Sequence, residues 1–350
     1  MAGSGDSALT ESQQSVPIGE RFSALPIPEP HGELLSFSST LMGAGPHRLG
    51  KDPQGAAALL IAASGGRSRV PHIELEHIVV LHDVRCVLWH SDASREEATF
   101  TLVRCKTTDR VLRDYFLGLT ETVLVNLGSA PSESRVQAVI GSLVELFRSL
   151  MKPGKKTVQG LWAELFLIAE AGDAQALVEA WHTKPEEAYD FSASDDRLEV
   201  KSSSGSERCH HFRLEQVRPR PGLRVLIASL FVEPVGLGVS LGDLLGSIRD
   251  HISATPELLL RMERIVAESL GDNWRRALED SFDIQRARTS LRFFDAPSLP
   301  AVDPNLPAGV TEVRFRADLS LASPVLVQAQ GEAGGLFAAA LPARAGRGVR

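Results

Sequence analysis

Hydrophobic positions change their rhythm three times along the chain. Between residues 31 and 108 they come in short runs, at 55–63, 77–82, 85–89 and 98–103, separated by Gly, Pro, Asp and Ser. That spacing predicts a β-rich N-terminal domain. Over 109–127 and 133–151 the period becomes helical, with Val136, Val139, Ile140, Leu143, Leu146, Phe147 and Leu150 at three- and four-residue steps. Residues 157–171 form the most apolar helix candidate, and Glu164 stands inside it, where a lone carboxylate is costly to bury. Residues 197–203 then alternate Leu198 and Val200 with Glu199 and Lys201, so the charged pair shares one face of a strand and the apolar pair the other. A near-continuous apolar run at 223–232 suits a central strand covered on both faces. Helical period resumes at 241–252 and 256–270, and short strands return between 290 and 319.

This order predicts an α/β chain in five parts. They are a flexible lead-in (1–30), the β-rich domain (31–108), a core with its preceding helices (109–255), a small C-terminal α+β extension (256–330) and a loose Ala/Gly/Arg-rich tail (331–350). A length of 350 residues fits two or three units, and 43% hydrophobic residues can fill a sizeable core. The net charge of −7 rules out a basic field over the whole protein, so any nucleic-acid contact has to come from a local patch. Cys86, Cys105 and Cys209 are scattered without zinc-ligand spacing and read as reduced thiols. The N-terminus lacks the features of a signal peptide, and no apolar run reaches the roughly 18 residues of a membrane span. The expectation is a soluble cytoplasmic protein with no membrane partner.

Lysine is rare here, seven against 30 arginines, and among the seven only Lys201 follows an acidic residue by two positions. Three others, Lys152, Lys155 and Lys156, fall in one loop, either solvated or at a phosphate-contacting edge. Asp190 ends a short strand-like stretch nine positions before Glu199. Two carboxylates on neighbouring strands can hold Mg²⁺, a hard cation that takes oxygen ligands. Such a cation polarises a phosphate and acidifies water, while Lys201 on the same face can orient or deprotonate the attacking water. Glu164 could supply a third carboxylate. On pattern alone, the rival reading is a surface ion pair on an ordinary strand.

A wider set of residues carries a resemblance. Gly160-Leu-Trp-Ala-Glu-Leu165, Tyr189-Asp-Phe191, Leu198-Glu-Val-Lys-Ser-Ser203, Arg208, His210 or His211, and Leu214-Glu-Gln216 look like the PD-(D/E)XK nuclease superfamily. More narrowly, they resemble a bacterial PD-(D/E)XK motif family first catalogued as a domain of unknown function. Tyr189 stands where the superfamily's name has proline, a position that contributes no ligand. The resemblance implies a restriction-endonuclease-like mixed sheet flanked by helices and a Mg²⁺-dependent DNA endonuclease, with Mn²⁺ as a substitute. Asp190, Glu199 and Glu164 would be the metal ligands and Lys201 the catalytic lysine. Ser202, Arg208, His210, His211 and Gln216 would be substrate contacts, with at most one of the adjacent histidines facing the site. It also implies an anti-phage or restriction setting, with DNA and a helicase-like ATPase or methyltransferase as partners; a homo-oligomer is an option the sequence leaves open. The alternative is a non-cutting DNA-binding or scaffold subunit that keeps the fold.

Overall fold

The computed structural model describes residues 16–42, 45–62, 70–90, 94–107, 109–182, 187–303, 305, 307–326 and 334–342, and the chain divides into two compact units, 1–148 and 149–350. In the first unit, α1 (Ile18–Ala24) lies within the expected lead-in and buries Phe22, so that segment is ordered from residue 18. Residues 1–15 of the lead-in lie outside the described residues. Strands β1 (Leu35–Leu41), β2 (Arg48–Lys51), β3 (Ala57–Ala62), β4 (Ile73–Glu74), β5 (Ile78–Trp89) and β6 (Arg95–Cys105) follow. They pair in the order β1-β2-β3-β6-β5, and a parallel pairing of β1 with β5 closes a five-stranded barrel to which β4 is appended. Closure removes the exposed edges of a sheet. Phe37, Ala58, Leu60, Cys86, Leu88, Phe100 and Leu102 pack together as its core.

The two apolar runs at 77–82 and 85–89 are one strand, β5, whose pairing shifts between Leu81 and Val84 where Asp83 takes φ 52°. Helices α2 (Arg110–Leu127), capped by the Asp109 carboxylate, and α3 (Glu133–Ser149) complete this unit. The expected boundary at 108/109 therefore differs from the observed division at 148/149, because these helices belong with the barrel rather than with the core that follows.

The second unit begins with α4 (Val158–Glu170), capped by the Thr157 hydroxyl, and α5 (Ala174–Ala180). Strand β7 (Phe191–Ala193) turns through Ser194 into β8 (Asp196–Ser203); β9 (Cys209–Arg213) and the single turn α6 (Leu214–Val217) then carry the chain to β10 (Arg224–Phe231). β10 lies parallel to β8, with Glu199 beside Ile227 and Lys201 beside Ser229. It is buried almost throughout, as its unbroken apolar sequence requires. The remaining elements are β11 (Pro234–Ser240), α7 (Leu241–Ile252), α8 (Pro256–Leu270), α9 (Trp274–Ala277), β12 (Ser281–Phe282), α10 (Ile284–Ser290), β13 (Arg292–Asp295), β14 (Arg314–Asp318) and α11 (Gly335–Ala340).

The central sheet has the order β13-β10-β8-β7, parallel at its middle and antiparallel at both sides. α4 packs against β8 and α7, and its Trp162 indole donates to the Val239 carbonyl at 3.0 Å. The segment expected as a C-terminal extension is part of this unit: β13 shields the edge of β10, and β14 pairs with β9. Nor is the tail loose at 335–340, where α11 packs on α5 and β8 and buries Leu336, Phe337 and Ala340. Residues 331–333 and 343–350 of the tail lie outside the described residues. No helix among the described residues is long and apolar enough to cross a membrane.

Candidate functional site

Asp190 sits at the entry to β7 and Glu199 and Lys201 on the next strand, so the β7–β8 hairpin brings all three to one cavity of about 430 Å³. The period of two in β8 has the predicted effect. Glu199 and Lys201 emerge together and their side chains meet at 2.6 Å, whereas Leu198 is fully buried. The backbone N–H of Val200 donates to Asp190 Oδ2 at 2.9 Å, tying the two strands at the site. Glu164 comes from the middle of α4 and is 4% exposed. Trp181 Nε1 donates to its Oε2 at 2.7 Å.

The cation that makes Glu164 tolerable is Lys156. Its Nζ donates to Glu164 Oε1 at 2.5 Å and to Asp190 Oδ1 at 3.3 Å, so one ammonium bridges the helix carboxylate and the strand carboxylate. The loop that carries it is held on the C-terminal end of α8, where the Lys155 and Lys156 amides both donate to the Ser269 carbonyl. Two glycines permit that docking. A Cβ at Gly154 would come within 2.6 Å of the Leu270 carbonyl oxygen, and one at Gly271, at φ +55°, within 2.1 Å of the Lys152 carbonyl oxygen.

Charge is distributed unevenly over these groups. Burial, and then the neighbouring Asp190 charge, raises Glu164 to about 8 against the opposing pull of Lys156. The same two causes raise Glu199 to about 7, opposed by Lys201. Burial would also raise Asp190, but Lys156, the Val200 N–H, Lys201 and His182 together hold it below the usual carboxylate range. Burial alone would lower the Lys156 ammonium; Glu164 and Asp190 instead raise it to about 12. Asp190 is thus the permanent anion, and Glu164 and Glu199 are the groups whose charge depends on what lies beside them.

A donor atom from each of Glu164, His182 and Asp190 lies within 4.8 Å of the others. Two hard carboxylates with an imidazole suit a divalent cation. The Lys156 ammonium already occupies a cation's position between the two carboxylates, and the site fits such an ion. This trio differs from the expected ligand set: His182 joins Glu164 and Asp190, while Glu199 shares the cavity but is engaged by Lys201 and by Gln216, whose Nε2 donates to it at 2.7 Å.

The remaining predicted residues separate cleanly. His211 and Gln216 line the cavity. His210 points the other way, buried, with Nε2 2.8 Å from the Ser229 hydroxyl. Arg208 donates to the Ser229 carbonyl and hydroxyl and to the Ser290 carbonyl, so it ties elements together outside the cavity lining. Ser202 accepts from Gln159 Nε2 at 3.2 Å and is not part of the lining. Two residues with clear places at the site were not among the predicted ones, His182 and Lys156. His182 follows Trp181, which bridges to Phe191, and its amide donates to the Asp190 carbonyl at 2.9 Å. Nothing in the local sequence marks it. Lys156 belonged to the lysine-rich loop, the only signal for it.

No curated protein and no solved structure matches the chain. The model of the family described as "Putative PD-(D/E)XK family member, (DUF4420)" matches residues 18–320. That span takes in the barrel, the β7–β8 hairpin and every side chain of the cavity. The chain belongs to this PD-(D/E)XK family.

Proposed function

We infer that the protein is a divalent-metal-dependent endonuclease acting on DNA, with a restriction-endonuclease-like core formed by β13, β10, β8 and β7 and the helices against them. The observation that carries this reading is the meeting of Asp190, Glu199 and Lys201 in one cavity, with Glu164 tied to Asp190 through Lys156. Asp190, Glu164 and either His182 or Glu199 would hold the ion, for which Mg²⁺ is the first choice and Mn²⁺ the substitute. When bound, the cation supplies a Lewis acid that polarises the phosphoryl group and acidifies water.

The chain's own groups do the rest. Asp190, fixed by the Val200 N–H, stays ionised and anchors the site. Glu199 keeps Lys201 aimed into the cavity, where the ammonium can stabilise charge developing on the phosphate and position the attacking water. Gln216 restrains Glu199 and is restrained in turn, its Oε1 accepting from the Arg213 amide at 3.0 Å and its Nε2 donating to the Ala188 carbonyl at 2.7 Å. A role in an anti-phage or restriction system, with a helicase-like ATPase or methyltransferase delivering DNA, is part of the same proposal. So are a cytoplasmic location and a homo-oligomeric state.

The test is cleavage of plasmid DNA with Mg²⁺ or Mn²⁺ by the wild type, Asp190→Ala and Lys201→Ala. Cutting that both substitutions abolish is expected. Binding of DNA without cutting under either metal, with or without a helicase partner, would select the non-cutting subunit instead.

A further inference from the structure

We propose that the outer face of the β9–β14 ribbon is a track for the phosphate backbone of nucleic acid, leading it to the carboxylate cavity. The observation is one of register. Arg213 lies directly opposite Arg314 and His211 directly opposite Arg316, so four basic side chains share one face of a two-stranded ribbon. The other face is the packed one: Phe212 and Ala317 are buried, and Phe315 packs against them. Like charges placed directly opposite each other destabilise a strand pair. Here Arg213 and Arg314 form such a pair, and the next pair on the face sets an imidazole opposite Arg316, which is explicable if a polyanion normally lies between them.

Two carboxylates stand beside the arginines of this face, Glu312 and Asp318. Glu312 approaches Arg314 only to 4.0 Å, from an exposed position where an ion pair contributes little. Asp318, at the end of the ribbon opposite Cys209, accepts from the Ser320 amide. The position of the face is the second observation. His211, Arg213 and Arg314 line the same cavity as Asp190, Glu199 and Lys201, in a lining that also holds Lys155, Glu187 and Glu268. Phe212, between the two outward residues of β9, carries Lys201 Nζ 5.2 Å from its ring centroid, so the strand that forms the track also seats the lysine.

Arginine forks match phosphate oxygens, and a row of them fits an extended chain of phosphates better than a single anion. With a net charge of −7, the protein has no general field to attract such a chain, so a local strip has to do so. The proposal rests on the nuclease reading for its substrate class, yet it is tested without catalysis.

The experiment is fluorescence anisotropy of a labelled DNA duplex of about 24 base pairs, titrated with the full chain in EDTA over a series of salt concentrations. Arg314→Gln with Arg316→Gln is expected to weaken binding at least tenfold at about 0.1 M salt. The slope of log K against log salt should fall by about 1.8, roughly 0.9 for each lost phosphate contact. Arg110→Gln, at a solvent-exposed position on α2, should leave both unchanged. The double variant should melt no lower than the wild type, because the Arg213–Arg314 like-charge pair has been relieved, so unfolding cannot explain a loss.

The track is wrong if affinity and slope stay within twofold of the wild type, or if Arg110→Gln lowers them equally. It is also wrong if the double variant loses only binding to phosphatidylserine vesicles, which would assign the strip to a membrane surface. Unchanged binding in a protein that does cut DNA overturns the track alone. Binding that depends on the strip in a protein that never cuts overturns the nuclease reading alone.

Discussion

Arg208, His210, Ser229 and Ser290 form one inward-facing polar cluster in the C-terminal unit, and Lys156, Glu164, His182, Asp190, Glu199 and Lys201 form another. In the first, every cation meets a neutral acceptor. Arg208 donates to two carbonyls and a hydroxyl, and His210 shares the same hydroxyl. Burial, followed by the nearby Lys201 and Arg208 charges, pushes the His210 imidazole down to about 4, so it is neutral throughout the physiological range. In the second, three carboxylates crowd two ammonium groups, and two of those carboxylates are displaced to about 7 and 8. Lys156, His182, Asp190, Glu199 and Lys201 of the second cluster line the cavity, and no member of the first is in that lining. Burial and hydrogen bonding are common to both, so neither marks a site. The distinction lies in like charges held together where a ligand can reach them.

The comparison is broken most directly by removing one member of each cluster. Lys201→Ala should lower turnover at least about 100-fold, or about 2.7 kcal/mol of transition-state stabilisation, with the fold retained. Arg208→Ala should keep kcat within about threefold yet cost about 1–3 kcal/mol of stability, because the Ser229 and Ser290 acceptors lose their donor. Single-turnover cleavage and denaturant unfolding measure the two effects. If Arg208→Ala abolishes cutting while unfolding normally, the assignment of its cluster to structure is lost.

Lys156→Met probes the stand-in cation. Breaking a buried ion pair from one side costs about 3 kcal/mol or more, so in EDTA the variant should melt several degrees below the wild type. Millimolar Mn²⁺ should restore more than half of that difference, because a divalent ion would take over the bridge between Glu164 and Asp190. An equal loss with and without Mn²⁺ in thermal unfolding would show that the lysine is a fixed tie and not a stand-in.

Acid and base should separate the clusters with opposite signs. Glu164 and Glu199 bind protons more tightly folded than unfolded, so their contribution is complete below about pH 4.5 and is lost as pH rises through 7 and 8. His210 binds its proton less tightly folded, so its contribution is present above about pH 6.5 and is lost as pH falls toward 4. Melting curves in EDTA between pH 4 and 8.5 should therefore show a drop at each end. Glu164→Gln should flatten the alkaline limb and His210→Gln the acid limb. A single substitution that flattens both would mean the two clusters titrate as one.

How much of this could be read beforehand follows from how local each feature is. Glu199 and Lys201 were legible because strand alternation is a property of neighbours in sequence, and Glu164 because a carboxylate inside an apolar helical stripe demands a partner. The partner itself was not legible. Lys156 reaches Glu164 through a loop whose position depends on close backbone approach at Gly154 and Gly271, more than 100 residues apart. His182 depends on Trp181 bridging to Phe191 across a turn. The five-stranded barrel, likewise, depends on one parallel pairing between β1 and β5 that no local pattern encodes. The ribbon was missed for the same reason, since β9 and β14 are 100 residues apart and only their register puts arginine opposite arginine.

The smallest effect is expected from the sharpest contrast, that between two adjacent histidines. His210 is 3% exposed and hydrogen-bonded to Ser229, whereas His211 is exposed and lines the cavity. Strand alternation alone sends them to opposite faces. His211→Ala should change stability by no more than about 0.5 kcal/mol, because nothing packs around an exposed ring. It should weaken duplex binding only two- to fivefold, since the three arginines of the ribbon face remain in place. His210→Ala should do the reverse, lowering the melting temperature and leaving affinity unchanged. Anisotropy and melting of the two variants, side by side, decide the matter. If His210→Ala rather than His211→Ala weakens duplex binding, the face assignment of β9 is inverted and the track loses its ribbon.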